Sequence, residues 1–236
     1  DKIGAVSDNH QAVDEYIKIA KSTAKGSQPL KGLKVILDCA NGVFSKIMPQ
    51  VYKDFGAEVI AMACEPDGLN INRDCGSMHP QKMMERVKAE QADLGIAVDG
   101  DGDRIIVCNE KGEKINSEQI IGFLADYLDS IGALKGRAVV STVLSNTALE
   151  RFIKDKKLPY YSTPVGERHV VAKMKEVGGA VGGEESGHVV VMDYCKSGDA
   201  LIVSLILSEG LLKSGRKMSE IFPVFALSLI HISEPT

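Results

Sequence analysis

Short apolar runs rich in valine and isoleucine alternate with amphipathic segments along the first half of the chain. Four of these runs predict β-strands: KVILD (34–38), AEVIAM (57–62), DLGIAV (93–98) and RIIVC (104–108). The first three are continuously apolar, which is typical of strands that are covered on both faces of a sheet. The segments MPQVYKDFG and HPQKMMERVKAE between them predict helices, and Gly56 ends the first of these. The pattern therefore predicts βαβ units.

The same alternation begins again after a predicted helix at 117–132. The second series consists of RAVVST (137–142), a helix at 148–157, PYYST (159–163), a helix at 168–177, GAVGG (179–183), HVVVMD (188–193) and a long helix at 199–215. Asp199 is expected to cap that last helix. An amphipathic helix at 10–24 precedes both series.

These patterns predict an α/β fold with two consecutive α/β/α layered domains and mixed, mainly parallel sheets. The predicted divisions are a leading helix and linker (1–26), a first α/β domain (27–131), a second, truncated α/β domain (132–225) and a tail (226–236). The boundary between the two domains is predicted near Gly132 to Gly136, where glycines follow the helix of the first series.

Composition narrows the class of protein. Of the 236 residues 44% are hydrophobic and 25% are charged, which is ordinary for a globular protein with a real core. The net charge is only −4 with both signs mixed, so we expect no nucleic-acid partner and no membrane surface. No apolar stretch is long enough to span a bilayer, and the first residues have no signal-peptide layout. Five scattered cysteines without CxxC spacing indicate reduced thiols and a cytoplasmic location.

The stretch LGIAVDGDGDRIIV (94–107) places Asp99, Asp101 and Asp103 between two apolar runs, with only glycine between them. Two carboxylates about 6 Å apart repel by roughly 3 kcal/mol at an effective dielectric constant near 20, so a positive partner is expected among the three. The glycines let the loop curl its oxygens around one point. Oxygen-only ligation suits a hard cation, and Mg²⁺ fits a site with few protein ligands.

Three alternatives remain open for this loop. The D-x-D-x-D spacing also matches a calcium-binding EF-hand loop, although position 6 is Arg104 and the flanks predict strands. Asp99 at a strand end also suits a phosphatase nucleophile with Asp101 as acid or base, which leaves Asp103 without a role. A solvated acidic turn is the third alternative, because hairpin turns favour Asp and Gly.

Two loops resemble those of the α-D-phosphohexomutase family. AVDGDGDRIIV (97–107) resembles the family's metal loop, and GGEESGHVVV (182–191) resembles its sugar-binding loop. The agreement extends through DCANG (38–42), GLNIN (68–72), CGSMHP (75–80), VGERHVVAKM (165–174) and SGDAL (197–201). It runs to about Phe222 and is strongest with the members that act on glucosamine phosphates. The last residues, ALSLIHISEPT, resemble no part of the family.

The resemblance implies an enzyme of four domains, of which this chain holds the second and most of the third. The absent first domain is expected to supply a phosphoserine and the absent fourth a phosphate clamp, so the chain alone is expected to be inactive. The implied reaction interconverts glucosamine 6-phosphate and glucosamine 1-phosphate through a hexosamine 1,6-bisphosphate intermediate. A phosphomannomutase or phosphoglucomutase is an alternative, and so is a stand-alone Mg²⁺-dependent sugar-phosphate phosphohydrolase or binding module.

The resemblance also implies roles for particular residues. Asp99, Asp101 and Asp103 would hold Mg²⁺, and Arg104 would donate to phosphate oxygens. Glu184 and Ser186 would contact sugar hydroxyls, while His188 would contact phosphate or move a proton. Gly166 would let the main chain approach the ligand, and the residues after it, Glu167, Arg168 and His169, are expected only to open a solvated helix.

Overall fold

Two helix-covered sheets make up the part of the chain that the computed structural model describes, residues 11–134 and 137–228. The strands of the first sheet are β1 (Lys34–Asp38), β2 (Glu58–Met62), β3 (Leu94–Val98), β4 (Ile105–Asn109) and β5 (Lys114–Ile115). They lie in the order β2-β1-β3-β4-β5. The first three strands are parallel, and β4 and β5 are each antiparallel to the strand before them.

The second sheet repeats this arrangement. Its strands are β6 (Val139–Thr142), β7 (Tyr160–Thr163), β8 (Val181–Gly183) and β9 (Val189–Val191). Their order is β7-β6-β8-β9, again with three parallel strands and a last strand that is antiparallel to the third. The β3–β4 loop and the β8–β9 loop therefore occupy equivalent places in the two repeats. The predicted α/β class with mixed, mainly parallel sheets is confirmed.

Helices cover both sheets, close to the positions that the periodicity predicts. They are α1 (Ala12–Lys21), α2 (Ile47–Asp54), α3 (Gln81–Glu90), α4 (Ser117–Ser130), α5 (Thr147–Asp155), α6 (Glu167–Val177), α7 (Ala200–Ser214) and α8 (Met218–Ile221). Asp199 caps α7 as expected, because its Oδ1 accepts the Ile202 N–H at 3.0 Å. The sequence pattern missed α8 and β5, which are too short to show a period.

The prediction that β2 is covered on both faces is wrong. This strand forms the edge of the first sheet, and all of its residues are exposed or only half-buried. In contrast, every residue of β3 at the centre of the sheet is buried. Because both strands are rich in valine, isoleucine and alanine, the composition of a run does not reveal its position across a sheet.

The contacts of α4 bear on the boundary between the two repeats. This helix packs against β8, α5 and α7, all of which belong to the second repeat. We therefore propose a boundary just before Ser117, whereas the sequence pattern predicts it near Gly132 to Gly136. Residues 135 and 136 of that predicted boundary lie outside the described residues, as do 1–10 of the predicted linker and 229–236 of the predicted tail.

The two repeats share one hydrophobic core. Helix α7 lies between them, with contacts to β4 of the first sheet and to β9 of the second, and is buried on nearly all sides. Two hydroxyl contacts also cross between the repeats: Tyr52 with Ser208 at 3.1 Å, and Tyr16 with the Asp199 carboxylate at 3.0 Å. The relative position of the two equivalent loops is therefore fixed by packing. None of the helices in residues 11–134 and 137–228 has the length and apolar character needed to cross a membrane.

Candidate active site where two hairpin loops meet

The loop after β3 curls around the first of its three aspartates. The Asp99 side chain is only 1% exposed, and its Oδ1 accepts the main-chain N–H groups of Gly102 (3.2 Å) and Arg104 (3.1 Å). Its Oδ2 accepts from Arg104 Nε at 2.6 Å. Asp101 is exposed and Asp103 is half-buried. One carboxylate oxygen from each of the three aspartates lies within 4.8 Å of the others, as the sequence spacing predicts.

The loop after β1, which contains DCANG, supports this loop from one side. The Val43 N–H donates to the Gly100 carbonyl at 2.9 Å. A Cβ on Gly42 would lie 2.2 Å from the same carbonyl oxygen, so only glycine permits this approach. On the loop itself Gly102 has a φ of +80° and packs against the Phe44 ring. Glycine is thus required at position 42 by close main-chain packing, and at position 102 by the positive φ and the contact with the Phe44 ring.

The charges of the loop fit a divalent cation. Burial acts against ionisation of Asp99, but the hydrogen bonds from Arg104 keep the pKa of this carboxyl below its usual range. Burial and the neighbouring Asp99 carboxylate raise the pKa of Asp103 to about 6. The loop thus holds more negative charge than Arg104 neutralises, with carboxylate oxygens gathered at one point. This donor set is the kind that Mg²⁺ prefers.

The loop after β8 places a second group of polar side chains at the same edge. Glu184 is 6% exposed, and its Oε1 accepts the Gly166 N–H at 2.7 Å. His188 Nδ1 lies 2.9 Å from Ser186 Oγ and 3.5 Å from Glu184 Oε2. Glu184 and Ser186 line a cleft of about 390 Å³, whose other lining residues are Thr142, Leu144, Val165 and Glu185. The structure thus brings the predicted sugar-contacting residues together beside one open cleft.

The two loops are joined directly. Arg104 and His188 form an isolated antiparallel bridge, and the Ile105 N–H donates to the Gly187 carbonyl at 3.1 Å. His188 Nε2 also lies 3.3 Å from Asp103 Oδ2. The residues that the sequence analysis singled out in two distant segments therefore form one continuous site.

Glu167 belongs to this site, although the sequence analysis assigned it only to a solvated helix start. Its Oε1 accepts the Gly198 N–H at 2.6 Å. One ligand atom each of Glu167, Asp103 and His188 lies within 4.8 Å of the others. Its position in the sequence, just beyond the carboxyl end of β7, indicates a place in the site, because ligands bind at this edge of α/β sheets.

Two alternatives for the aspartate loop lose support. Strands flank the loop on both sides, whereas an EF-hand loop lies between helices. Asp99 is nearly inaccessible, and both of its oxygens accept hydrogen bonds, which is unsuitable for a phosphatase nucleophile. Metal coordination is the role that the geometry favours.

Comparison with known proteins agrees with this geometry. Residues 13–112 match the family model "Phosphoglucomutase/phosphomannomutase, alpha/beta/alpha domain II", and residues 116–226 match domain III of the same family. The phosphoglucosamine mutase of Phenylobacterium zucineum is 44% identical over 219 residues, 93% of this chain and 49% of that protein. That of Campylobacter curvus is 44% identical over 221 residues, 94% of this chain and 50% of that protein. The chain thus spans about half the length of these curated relatives.

Solved structures share the fold. A phosphoglucomutase/phosphomannomutase family protein from Burkholderia thailandensis is 28% identical, with a TM-score of 0.74 over 85% of this chain and 44% of that one. The Aspergillus fumigatus N-acetylphosphoglucosamine mutase, in complex with GlcNAc-6P and magnesium, is 18% identical. Its TM-score is 0.71 over 90% of this chain and 53% of that one, a likeness of fold alone. With its two consecutive domain matches in the family order, the chain belongs to the phosphoglucomutase/phosphomannomutase family.

Proposed function

We propose that this chain supplies the metal-binding and sugar-binding loops of a mutase that interconverts glucosamine 6-phosphate and glucosamine 1-phosphate. The observation that carries the proposal is the direct junction of the aspartate loop with the Glu184–His188 loop. The 44% identity with phosphoglucosamine mutases supports glucosamine over mannose or glucose phosphates. Because the chain spans about half of those relatives, we assign the phosphoserine and the clamp for the distal phosphate to residues outside it. We retain the prediction of a cytoplasmic location.

The aspartate loop would hold Mg²⁺ through Asp99, Asp101 and Asp103. When bound, Mg²⁺ supplies positive charge that stabilises the transferring phosphoryl group. Arg104 is already oriented by its Nε contact with Asp99, which leaves its remaining N–H groups to donate to phosphate oxygens. The Arg104 side chain is about one-third exposed, so a phosphate group can reach it from solvent.

The second loop would orient the sugar. Glu184 and Ser186 line the cleft, where a carboxylate and a hydroxyl together accept from and donate to sugar hydroxyls. His188 lies between the two loops, with Nε2 near Asp103 and Nδ1 near Ser186. An imidazole in this position can hold or move a proton at Nε2 as a phosphate oxygen gains or loses charge. Contacts made through hydroxyls also suit a bisphosphate that must bind in two orientations.

A chimeric enzyme tests this proposal. Residues 11–228 replace the matching segment of the Phenylobacterium zucineum phosphoglucosamine mutase, and formation of glucosamine 6-phosphate from glucosamine 1-phosphate is measured. We expect turnover in the chimera and a loss of at least about 100-fold with Asp101→Asn. The exposed Asp129→Asn, on α4, is the matched control and should retain turnover. A folded chimera that converts only mannose or glucose phosphates would contradict the substrate assignment.

An assay of the isolated chain distinguishes the mutase fragment from a stand-alone phosphohydrolase. Since the phosphoserine is assigned elsewhere, we expect no mutase turnover when the isolated chain receives Mg²⁺ and glucosamine 1,6-bisphosphate. Release of inorganic phosphate that disappears with Asp101→Asn would instead favour the stand-alone phosphohydrolase.

A further inference from the structure

Cys39 and Cys64 lie at the ends of two adjacent parallel strands. Cys39 follows β1 and Cys64 follows β2 by two residues, and the two strands pair in register up to Asp38 and Met62. The Cys39 N–H and the Cys64 thiol both donate to the Met62 carbonyl, at 3.0 and 3.2 Å. The shared acceptor places the two cysteines side by side at the ends of the paired strands. Both cysteines are free thiols in the structure.

The two thiols have unequal environments. Cys39 is completely buried, whereas Cys64 is partly accessible. The neighbouring Cys39 thiol lowers the pKa of Cys64 and the Lys53 charge adds to this effect, although burial and the Asp38 and Glu65 carboxylates oppose it. The neighbouring Cys64 thiol and burial raise the pKa of Cys39. An accessible cysteine with a lowered pKa beside a buried cysteine with a raised pKa is the arrangement of a reactive cysteine with a resolving partner.

The main chain around the pair is unusual. Ala40 and Asn41, directly after Cys39, have φ values of 54° and 50°, and Ala63, directly before Cys64, has 50°. Left-handed conformations at non-glycine residues cost energy and cluster at functional sites. The Asn41 N–H donates to the Ala63 carbonyl at 2.6 Å, so the two strained turns are also bound to each other. The surroundings thus hold the two cysteines side by side.

We propose that Cys64 and Cys39 form a peroxide-reactive thiol pair, with Cys64 as the attacking sulfur and Cys39 as the resolving one. The Cys64 thiolate attacks one oxygen of a hydroperoxide: an S–O bond forms, the O–O bond breaks and hydroxide leaves, in the case of hydrogen peroxide. The sulfur is oxidised to a sulfenic acid and the peroxide is reduced. Cys39 then attacks this sulfur, so that the S–S bond forms and the hydroxyl departs as water with the Cys39 proton.

Peptide mapping tests the pair on the isolated chain. Trypsin separates the relevant cysteines, because it releases Cys39 in peptide 35–46, Cys64 in 54–73 and Cys75 in 74–82. The chain is treated with hydrogen peroxide, alkylated, digested without reductant and analysed by mass spectrometry. We expect peptides 35–46 and 54–73 to appear joined, with the loss of two hydrogens and full reversal by dithiothreitol.

The alkylation rate of Cys64 and the behaviour of three cysteine variants complete the test. Cys64 should react with iodoacetamide about tenfold faster than Cys195, which is also partly accessible but has Ser197 as its neighbour. Cys39→Ala should leave Cys64 as a sulfenic acid that dimedone traps, and Cys195→Ser should leave the crosslink unchanged. Cys64→Ser should abolish the crosslink. Because Cys64 is partly accessible, this variant remains a test even if Cys39→Ala, at the buried position, folds poorly. Equal reactivity of Cys64 and Cys195, a crosslink to peptide 74–82, or overoxidation of Cys64 without a crosslink would each overturn the proposal.

Discussion

Arg104 and His188 pair as an isolated antiparallel bridge between two loops that occupy equivalent places in the two repeats. Each loop joins the third and fourth strands of its sheet, and the first four strands of the five-stranded sheet follow the same order as the four strands of the other. The bridge therefore connects the β3–β4 hairpin to the β8–β9 hairpin, and it holds the aspartate loop and the Glu184–His188 loop together as one surface.

Gly187→Ala should destabilise the junction. Gly187 has a φ of +102°, and a Cβ there would lie 2.9 Å from the Ile105 carbonyl oxygen. Gly26 is the matched control, with a φ of +105° and open space around its Cβ position. We expect the free energy of unfolding to fall by about 1 kcal/mol for Gly26→Ala and by about 2–4 kcal/mol for Gly187→Ala, measured by urea denaturation. Equal losses would show that the contact with Ile105 is not tight.

The sequence predicted what is encoded locally. The strand β3, the turn after it and the cap at Asp199 were all predictable, because a buried run, a D-x-D-x-D spacing and a helix start each leave a short-range signal. The edge position of β2 and the packing of α4 on the second repeat were not, since they depend on strand order and on contacts between distant segments. Glu167 follows β7 closely, but it was missed because its contacts with Gly198, Asp103 and His188 join distant segments of the chain.

Tyr16→Phe should weaken the connection between α1 and α7. The Tyr16 hydroxyl lies 3.0 Å from both carboxylate oxygens of Asp199, the cap of α7. Loss of a hydrogen bond to a charged group costs about 1.5–3 kcal/mol, which urea denaturation will detect. The control is Tyr161→Phe, at an exposed ring beside Lys173, and it should change stability by less than about 0.5 kcal/mol. A Tyr16→Phe variant as stable as this control would contradict the role of the contact.

Glu110 should give the stability a dependence on pH. Its carboxylate accepts the Ser219 hydroxyl and the Ser219 N–H, the latter at 3.1 Å. Although burial acts in the opposite direction, these hydrogen bonds lower the pKa of Glu110 below its ordinary value of 4.5. The stabilisation is therefore fully present above the unfolded pKa and is lost as the pH falls through the lower folded pKa.

Glu110→Gln removes this dependence. At pH 7 we expect the variant to be less stable by up to about 1 kcal/mol, because solvent partly screens the contact, and the difference should shrink at acidic pH. Denaturation curves at several pH values measure it, with Glu85→Gln on α3 as an exposed control. A difference that is the same at every pH would contradict the assignment.

The aspartate loop is expected to bind a divalent cation through Asp99, Asp101 and Asp103. Asp101 is the best residue for its test, because it is exposed and its substitution removes one charge without opening the core. Asp99, in contrast, is buried under Arg104, so its replacement would also disturb the fold. Asp129→Asn, which removes one exposed aspartate charge elsewhere on the chain, is the matched control.

Titration of the isolated chain with Mg²⁺, followed by calorimetry and repeated with Mn²⁺ by electron paramagnetic resonance, is the most direct measurement. We expect one weak site in the unmodified chain and in Asp129→Asn, and an affinity at least about tenfold lower in Asp101→Asn. Unchanged affinity in Asp101→Asn, or no binding of either cation by the folded chain, would contradict this expectation.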